Sequence, residues 1–213
     1  MGGDGIRLVA FDLDGTLIPD TTVSLSLARH LGYEAELQEF ERRFRDGEID
    51  NAVIADFEAE RLRGLAVAEA EEIVEGIPLI EGLRETLETL KAHGIATLIA
   101  TITWSFAPRV YRRRFGLDGH CGTVMGEAAG RLTGGVVRYC DAFDKRDYVA
   151  AEALRRGLEP EHCAAVGDSR SDLPLFGWAG ASLALNATPA ARKAARHAIE
   201  ANDLRETLGY LIG

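Results

Sequence analysis

The sequence has few residues that could cross-link the chain or bind soft metals. Only three of its 213 residues are cysteines, Cys121, Cys140 and Cys163, and no two of them are spaced as C-x-x-C. Neither a disulfide framework nor a thiolate metal site is therefore indicated. The five histidines include no pair at i and i+4, so they give no indication of a histidine metal site.

Long apolar runs and an excess of basic charge are also missing. No stretch approaches the ~20 apolar residues that span a bilayer, and residues 1–7 lack a basic region followed by an apolar one. The 34 acidic residues outnumber the 24 basic ones, giving a net charge of −10, which disfavours nucleic acid and anionic membranes as partners. We expect a cytoplasmic protein with a small-molecule partner, and the composition leaves its oligomeric state open.

Short apolar runs alternate with longer helical patterns along most of the chain. This alternation predicts an α/β fold with a parallel sheet. The predicted strands are residues 7–11, 96–100, 163–166 and 181–185, and the predicted helices are residues 81–93, 104–115, 145–156 and 202–211. Residues 122–137 carry Gly130 between two apolar pairs, which indicates an antiparallel hairpin.

Residues 20–78 differ from the rest because they contain no strand-like run and consist almost entirely of helix formers. We predict three or four short helices there, forming a cap domain inserted into a core of residues 1–19 and 79–213. The insert has 15 acidic and 6 basic residues, whereas the core is nearly neutral. This charge is typical of a solvated helical face, and it would also suit a lid over a ligand with a positive group.

Two carboxylates follow the first predicted strand, in the sequence Phe-Asp-Leu-Asp-Gly-Thr. Ligands of open parallel sheets bind beyond the carboxyl ends of the strands, where Asp12 stands. Gly15 turns the chain directly afterwards, so Asp12 and Asp14 can both face one crevice. Neighbouring carboxylates repel each other unless a cation lies between them, which favours a Mg²⁺ site. The alternative is a turn followed by a helix cap.

A second pair of carboxylates follows the run at residues 163–166. Asp168 comes directly after that strand and Asp172 stands four positions later, at the start of a helical pattern. For Asp172 a purely structural role is also possible, as an acid at a helix N-terminus that interacts favourably with the helix dipole. Asp168 needs a metal, a cation or several hydrogen-bond donors, because a carboxylate at the end of a buried strand is costly to leave unpaired.

Two further polar residues lie between these pairs. Thr101 places a hydroxyl at the end of a predicted strand, next to a helix start whose free N–H groups suit a phosphate. Lys145 follows the predicted hairpin, where its ammonium could neutralise a phosphoryl oxygen or hold the carboxylates. Each residue alone is also compatible with a structural role, as a helix cap or a solvent-facing cation.

Taken together and in this order, the four stretches resemble the four motifs of the haloacid dehalogenase superfamily. The insert after the first motif resembles the helical cap of these enzymes, and the similarity extends over essentially the whole chain. The most similar branch is that of the phosphoserine-phosphatase-like hydrolases. The resemblance implies a Rossmann-like parallel-sheet core with a small helical cap.

The resemblance also implies a role for each motif residue. Asp12 is expected to be the nucleophile that forms an aspartyl-phosphate, and Asp14 to act as general acid and base. Mg²⁺ is expected to be held by Asp12, the backbone carbonyl of Asp14 and Asp168, with Asp172 nearby.

The phosphoryl group is expected to be bound by Thr101 and Lys145. The backbone N–H groups of Leu13 and Ile102 are additional candidate donors.

The residues that choose the substrate depart from the phosphoserine-specific pattern. Thr21 stands where those enzymes carry a glutamate for the serine amine, and Glu58 stands where they carry an arginine for its carboxylate. An acid at that position repels a carboxylate, although Arg61 or Arg63 could replace the arginine from the next helical turn. Trp104, predicted in the first turn of a helix near the mouth of the pocket, suggests a bulkier or flatter substrate. Ser171, within the fourth motif, is a further candidate.

These observations predict a Mg²⁺-dependent phosphomonoesterase that acts on a small phosphorylated metabolite other than phosphoserine. Asp14 argues against a dehalogenase, because halide leaves without a proton. Phosphoserine phosphatase, a phosphomutase and a non-catalytic binding module on the same scaffold remain the alternatives.

Overall fold

The computed structural model describes residues 5–212, in which helices and strands alternate along most of the chain. The strands are β1 (Leu8–Phe11), β2 (Ala96–Trp104), β3 (Gly119–Ala128), β4 (Arg131–Arg138), β5 (Cys163–Gly167), β6 (Ala181–Leu185) and β7 (His197–Ile199). The helices are α1 (Val23–Leu31), α2 (Glu34–Arg45), α3 (Asn51–Leu62), α4 (Val67–Glu75), α5 (Leu83–Ala92), α6 (Phe106–Phe115), α7 (Ala142–Arg155), α8 (Leu173–Trp178), α9 (Pro189–Ala194) and α10 (Leu208–Leu211).

The seven strands form one sheet in the order β4-β3-β2-β1-β5-β6-β7. Every neighbouring pair is parallel except the hairpin of β3 and β4. β1 lies between β2 and β5, with Phe11 in register with Ile99 and Val166. The carboxyl ends of these three strands therefore meet at one edge of the sheet, which is where an α/β fold binds its ligands.

Apolar layers cover both faces of the sheet, because successive side chains of a strand point to opposite faces. Val9 and Phe11 pack in the layer formed with α1, α4, α5 and α6, whereas Leu8 and Ala10 pack in the layer formed with α7 and α8. All four side chains are fully buried. The central strand is thus fixed from both sides, which gives the polar residues that follow it a rigid base.

Helices α1 to α4 form the insert between β1 and α5 and have a small apolar cluster of their own. Tyr33, Leu37 and Ile54 are buried there, and Phe40 stacks on Phe57 with ring centroids 4.3 Å apart. Among the described helices, none combines the length and the apolar character needed to cross a membrane. The predicted α/β fold with a helical insert is confirmed. The insert contains four helices, which agrees with the prediction of three or four.

Several local predictions need correction. β2 continues to Trp104 and α6 begins only at Phe106, so Trp104 lies at a strand end and not in a first helical turn. For the same reason Thr101 lies within the strand, and not at its end beside a helix start. The strand continues because Trp104 pairs with Thr123 of β3 beyond a shift in register. Short β7 was not predicted, and the C-terminal segment is a 3₁₀ turn (Leu204–Thr207) followed by the single turn α10.

Candidate active site

Asp12 directly follows the central strand and is almost buried, with 5% of its surface exposed. Its backbone N–H donates to the Val166 carbonyl at 2.8 Å, so the sheet holds its main chain in place. Gly15, at φ +88°, turns the chain in a conformation that favours glycine, and a Cβ atom there would come within 2.5 Å of Asp168 Oδ2. The glycine thus allows the first loop to lie against Asp168 of the fourth motif.

Lys145, which follows the β3–β4 hairpin in the chain, contacts Asp12 with its side chain. It lies in the first turn of α7, which Asp141 and Asp144 cap reciprocally. Its side chain is completely buried, and Nζ lies 2.6 Å from Asp12 Oδ1 and 2.5 Å from Asp172 Oδ1. Although burial lowers the pKa of Lys145, attraction to Asp12 and Asp172 outweighs it and raises that pKa above its ordinary value.

The carboxylate of Asp172 links Lys145 to the backbone of the fourth motif by hydrogen bonds. Oδ1 accepts the hydrogen bond from Lys145, while Oδ2 accepts the backbone N–H groups of Asp168 and Ser169, both at 3.1 Å. Gly167 makes room for this carboxylate, because a Cβ atom there would lie 2.3 Å from Asp172 Cγ. Both carboxylate oxygens of Asp172 therefore already have protein partners.

Asp168 Oδ1, in contrast, is buried without a hydrogen bond to any group of residues 5–212. One carboxylate oxygen each from Asp12, Asp168 and Asp172 lies within a group spanning at most 4.8 Å. Burial, followed by repulsion from Asp12 and Asp172, raises the pKa of Asp168 to about 8, and burial raises that of Asp12 to about 6 despite Lys145. A cation added to this group would relieve both effects, so the residues present fit a divalent metal with oxygen ligands.

Asp14 is separated from that group and attached to the insert. Its Oδ1 accepts the backbone N–H of Val23, the first residue of α1, at 2.8 Å. Burial is the main cause that raises the pKa of Asp14 to about 7, and repulsion from Asp12 and Glu41 adds to the effect. A carboxyl group with a pKa near neutrality can both give and accept a proton. The structure leaves its side chain outside the three-carboxylate group.

Thr101 and Ile102 face the cavity from β2. Thr101 is 1% exposed, and its Oγ1 accepts the backbone N–H of Thr103 at 3.2 Å. The Ile102 carbonyl accepts from Thr123 Oγ1 and from Asn51 Nδ2, which joins β2 to β3 and to α3. Leu13 is fully buried, and its backbone N–H lowers the pKa of Asp12 by hydrogen bonding.

One cavity of about 680 Å³ lies between the sheet edge and the insert, and it is bordered by Asp12, Asp14, Thr101, Ile102 and Asp168. Lys145 and Asp172 contact this group from outside the cavity lining. Thr21, Trp104 and Ser171 line it, and Glu58 does so with 3% of its surface exposed. Trp104 is itself only 2% exposed, so it forms part of the wall and not of a mouth.

The two arginines considered as replacements for a carboxylate-binding residue do not reach the cavity. Arg61 forms an ion pair with Glu36 and lies over the ring of Phe57, at 5.1 Å from its centroid. Arg63 pairs with Glu60 and donates to the Thr133 carbonyl. Neither lines the cavity. The structure thus separates Arg61 from the other specificity candidates.

Comparison with known proteins agrees with this geometry. The family model described as haloacid dehalogenase-like hydrolase matches residues 9–177. The chain belongs to this family. The match begins in β1 and ends in α8, so it includes all four motifs and the insert.

Curated relatives and solved structures within the family are similar over nearly the whole chain. Phosphoserine phosphatase of Wolinella succinogenes is 30% identical and is aligned over 97% of this chain and all of its own. Phosphoserine phosphatase of Methanocaldococcus jannaschii is 28% identical, over 96% of this chain and 97% of its own. A solved phospho-aspartyl intermediate analogue of phosphoserine phosphatase superposes with a TM-score of 0.85 at 27% identity, over 97% and 99% of the two chains.

Several residues at this hydrolase site were not found from the sequence. Glu41 of α2 and Ser24 of α1 line the cavity, and Asn51 Nδ2 ties α3 to the Ile102 and Cys140 carbonyls at 3.1 Å each. Arg170 stacks on Phe44, with its guanidinium 4.1 Å from the ring centroid. Glu41, Ser24 and Asn51 belong to the insert and to none of the four motifs, whereas Arg170 lies within the fourth motif. The sequence signal for Glu41 is the high density of charge in the insert, and the signal for Arg170 is its place between Asp168 and Asp172.

Proposed function

We propose that the protein is a phosphomonoesterase that hydrolyses a small phosphate ester through a phosphoryl group carried on Asp12. The observation that supports this most strongly is that Asp12 and Asp14 are held by different parts of the molecule. Asp12 is held by Lys145 beside Asp168 and Asp172, while Asp14 is bound separately to the insert. One carboxylate is thus placed to attack and the other to handle a proton.

In the first half-reaction, a carboxylate oxygen of Asp12 forms a bond to phosphorus as the bond to the leaving-group oxygen breaks. Asp14 gives its proton to that oxygen, so the alcohol leaves uncharged. Lys145 orients the Asp12 carboxylate through its 2.6 Å hydrogen bond and offsets negative charge on the phosphoryl oxygens. Thr101 Oγ1 and the backbone N–H groups of Leu13 and Ile102 are the proposed further donors to those oxygens.

In the second half-reaction, Asp14 accepts a proton from a water molecule as the water oxygen forms a bond to phosphorus. The bond between phosphorus and Asp12 breaks, which releases phosphate and restores the carboxylate. Asp14 ends the cycle protonated, ready for the next substrate. Its pKa of about 7 suits a group that must hold the proton in one step and lack it in the other.

The proposed cofactor is Mg²⁺, held by Asp12, Asp168 and the backbone carbonyl of Asp14, with Asp172 nearby. When bound, it would supply positive charge that neutralises the carboxylates and the transferring phosphoryl group. The orphaned Asp168 Oδ1 and the close group of carboxylate oxygens support this assignment.

The insert, residues 20–78, is proposed to act as a cap domain over the core of residues 1–19 and 79–213. It supplies Thr21, Glu41 and Glu58 to the cavity wall. A cap in this position would exclude water during the first half-reaction and would contact the leaving group. Substrate choice would then depend on the insert, whereas the chemistry depends on the core.

Phosphoserine is the second candidate substrate, because similar proteins are named phosphoserine phosphatase. The cavity argues against it. Glu58 stands where a basic group is expected to receive the carboxylate. Arg61 and Arg63 form ion pairs with Glu36 and Glu60 instead. We therefore favour a phosphorylated metabolite other than phosphoserine.

The proposal is tested by phosphate release from a panel of phosphate monoesters, with Mg²⁺ and with excess chelator. The panel includes p-nitrophenyl phosphate, phosphoserine and esters of neutral, cationic and acidic alcohols. We expect Mg²⁺-dependent release that falls by at least roughly a thousandfold in Asp12→Asn, because the nucleophile is removed. Thermal unfolding and circular dichroism would show that this variant is folded.

Phosphate release that persists in Asp12→Asn would contradict the proposed nucleophile. Transfer of phosphate to a second site of the substrate would instead identify a phosphomutase. If no ester is hydrolysed, binding of beryllofluoride with Mg²⁺ separates an enzyme of other specificity, which would bind it, from a binding module, which would not.

A further inference from the structure

Four of the eight buried polar side-chain atoms that lack a hydrogen-bond partner in residues 5–212 belong to the cavity wall. Among residues 5–212, Glu58 Oε1, Thr103 Oγ1 and Trp104 Nε1 lie there without a hydrogen bond, in addition to Asp168 Oδ1. Glu58, Thr103 and Trp104 are each at least nine-tenths buried. Unpaired buried polar atoms are costly, so their grouping around one empty volume indicates a ligand that completes their hydrogen bonds.

Two acids of the insert, Glu41 and Glu58, belong to this wall. The groups that shift the pKa of Glu58 include no basic side chain. Glu58 Oε2 accepts from Ser24 Oγ at 2.9 Å, and Glu41 Oε1 accepts from Thr22 Oγ1 at 3.0 Å. In the described part of the chain, neither acid forms an ion pair with a basic side chain. Burial raises the pKa of Glu41, although the Thr22 hydroxyl and Arg45 oppose the rise. Burial, with smaller contributions from Glu41 and Asp14, raises the pKa of Glu58 to about 8 against the opposing effects of the Ser24 hydroxyl and the nearby Trp104 side chain.

The arginines that line the same cavity do not compensate Glu58. Arg45 is exposed to solvent, and Arg170 is half-buried, stacked on Phe44 and donating to the Ile49 carbonyl at 3.3 Å. The strongest influences on the pKa of Glu58 include no basic group. The positive charge that this buried carboxylate lacks must therefore come from a ligand, if the carboxylate is to ionise.

We propose that the leaving-group subsite, defined as Ser24, Glu41, Glu58 and Trp104, binds an ammonium group, so that the substrates are phosphate esters of amino alcohols without a carboxylate. This rests on the proposed phosphomonoesterase function. The ammonium donates to Glu58 Oε1, which is the unpaired oxygen, and lies within the field of Glu41. Charge-assisted hydrogen bonds of this kind are about twice as strong as neutral ones.

The other classes of leaving group fit the subsite less well. A carboxylate has no proton to donate to Glu58 Oε1, and it would be repelled by Glu41 and by Glu58 once that side chain ionises. A neutral hydroxyl could accept from Trp104 Nε1 and donate to Glu58, but it would leave the two acids uncompensated. An ammonium is the class that satisfies the free oxygen and neutralises the repulsion at the same time.

Three isosteric phosphonates, which no phosphatase can hydrolyse at the P–C bond, test the inference by calorimetry in the presence of Mg²⁺. They are 3-aminopropylphosphonate, 3-hydroxypropylphosphonate and 2-carboxyethylphosphonate, which place an ammonium, a hydroxyl or a carboxylate at the leaving-group end. We expect the amine to bind at least roughly tenfold more tightly than the alcohol, and the acid to bind most weakly.

Glu58→Gln keeps the shape of the side chain and removes its charge, so it should abolish the preference for the amine over the alcohol. Glu60→Gln is the matched control, because Glu60 lies on the same helix α3 but is exposed and paired with Arg63. This control should bind all three compounds as the wild type does.

Equal binding of the amine and the alcohol, tightest binding of the acid, or no binding of any phosphonate would overturn the inference. So would a preference for the amine that persists in Glu58→Gln. Hydrolysis of p-nitrophenyl phosphate, measured on the same preparations, reports on the phosphatase function alone. Activity without an amine preference would therefore reject the subsite while leaving the proposed function intact.

Discussion

Val23, the first residue of α1, donates its backbone N–H to Asp14 Oδ1 at 2.8 Å. The proposed proton donor is therefore held by the insert, whereas the proposed nucleophile Asp12 is held by Lys145 of the core. The free N–H groups at a helix start favour a negative charge, so this contact also lowers the pKa of Asp14 against the effect of burial. Positioning of the insert and proton transfer are thereby coupled.

The first prediction concerns this division between attack and protonation. Asp14→Asn should slow the hydrolysis of alkyl phosphates by roughly 10²- to 10⁴-fold, because an alkoxide leaves poorly without a proton. Formation of the phosphoryl-enzyme from p-nitrophenyl phosphate should be affected much less, since nitrophenolate leaves readily. Rapid mixing that resolves release of nitrophenol from release of phosphate measures the two steps separately.

Equal losses for alkyl and aryl esters in the first step would contradict the role of Asp14 as general acid. The control is Asp20→Asn, because Asp20 is an exposed acid of the same loop. This variant should hydrolyse both classes of ester at the wild-type rates.

The sequence predicted the polar ends of the strands well because their signal is local. Asp12 and Asp168 directly follow short apolar runs, and parallel strands bring their carboxyl ends together in any fold of this class. The path beyond Ala100 could not be predicted in the same way. There the strand continues only because Trp104 pairs with Thr123 across a register shift, and such pairing depends on a distant part of the chain.

The insert shows the same limit. Its helices follow from composition, but the choice of which acids face the cavity depends on how α2 and α3 pack. Glu41 and Glu58 turn inward, whereas Glu39 and Glu60 form exposed ion pairs with Arg42 and Arg63. All four are glutamates in helices rich in charge, so the sequence does not distinguish between them.

The second prediction concerns the buried ion group. Lys145→Met should lower the free energy of unfolding by about 3–5 kcal/mol, because Asp12 and Asp172 lose the buried cation between them. Urea unfolding followed by circular dichroism measures the change. Lys91→Met, on the exposed side of α5, is the matched control and should change stability by less than about 0.5 kcal/mol. A similar loss in both variants would contradict the role assigned to Lys145.

The third prediction concerns the metal. Mg²⁺ at a hundred times its dissociation constant should stabilise the wild type by about 2.7 kcal/mol, because it binds the folded protein only. Asp168→Asn should lose most of this gain, since it removes the charge of the carboxylate whose Oδ1 has no protein partner. Thermal unfolding with increasing Mg²⁺ measures the effect without any substrate. An equal increase of the melting temperature in Asp168→Asn would place the metal elsewhere.

The last prediction concerns Glu58 and the pH dependence of stability. Burial raises its pKa in the folded protein to about 8, above the ordinary value of 4.5. Between pH 4.5 and pH 8 the folded state therefore holds a proton that the unfolded state has lost, so the contribution of Glu58 to stability falls as pH rises through this window. In Glu58→Gln this dependence is absent, and the variant should gain stability relative to the wild type as pH increases from 5 to 8. Urea unfolding of both proteins at intermediate pH values, with chelator present, measures the difference.

Glu60→Gln, which alters an exposed acid of the same helix, should follow the wild type at every pH. A constant difference between wild type and Glu58→Gln across this range would mean that Glu58 is already ionised in the folded protein, and the prediction would be wrong.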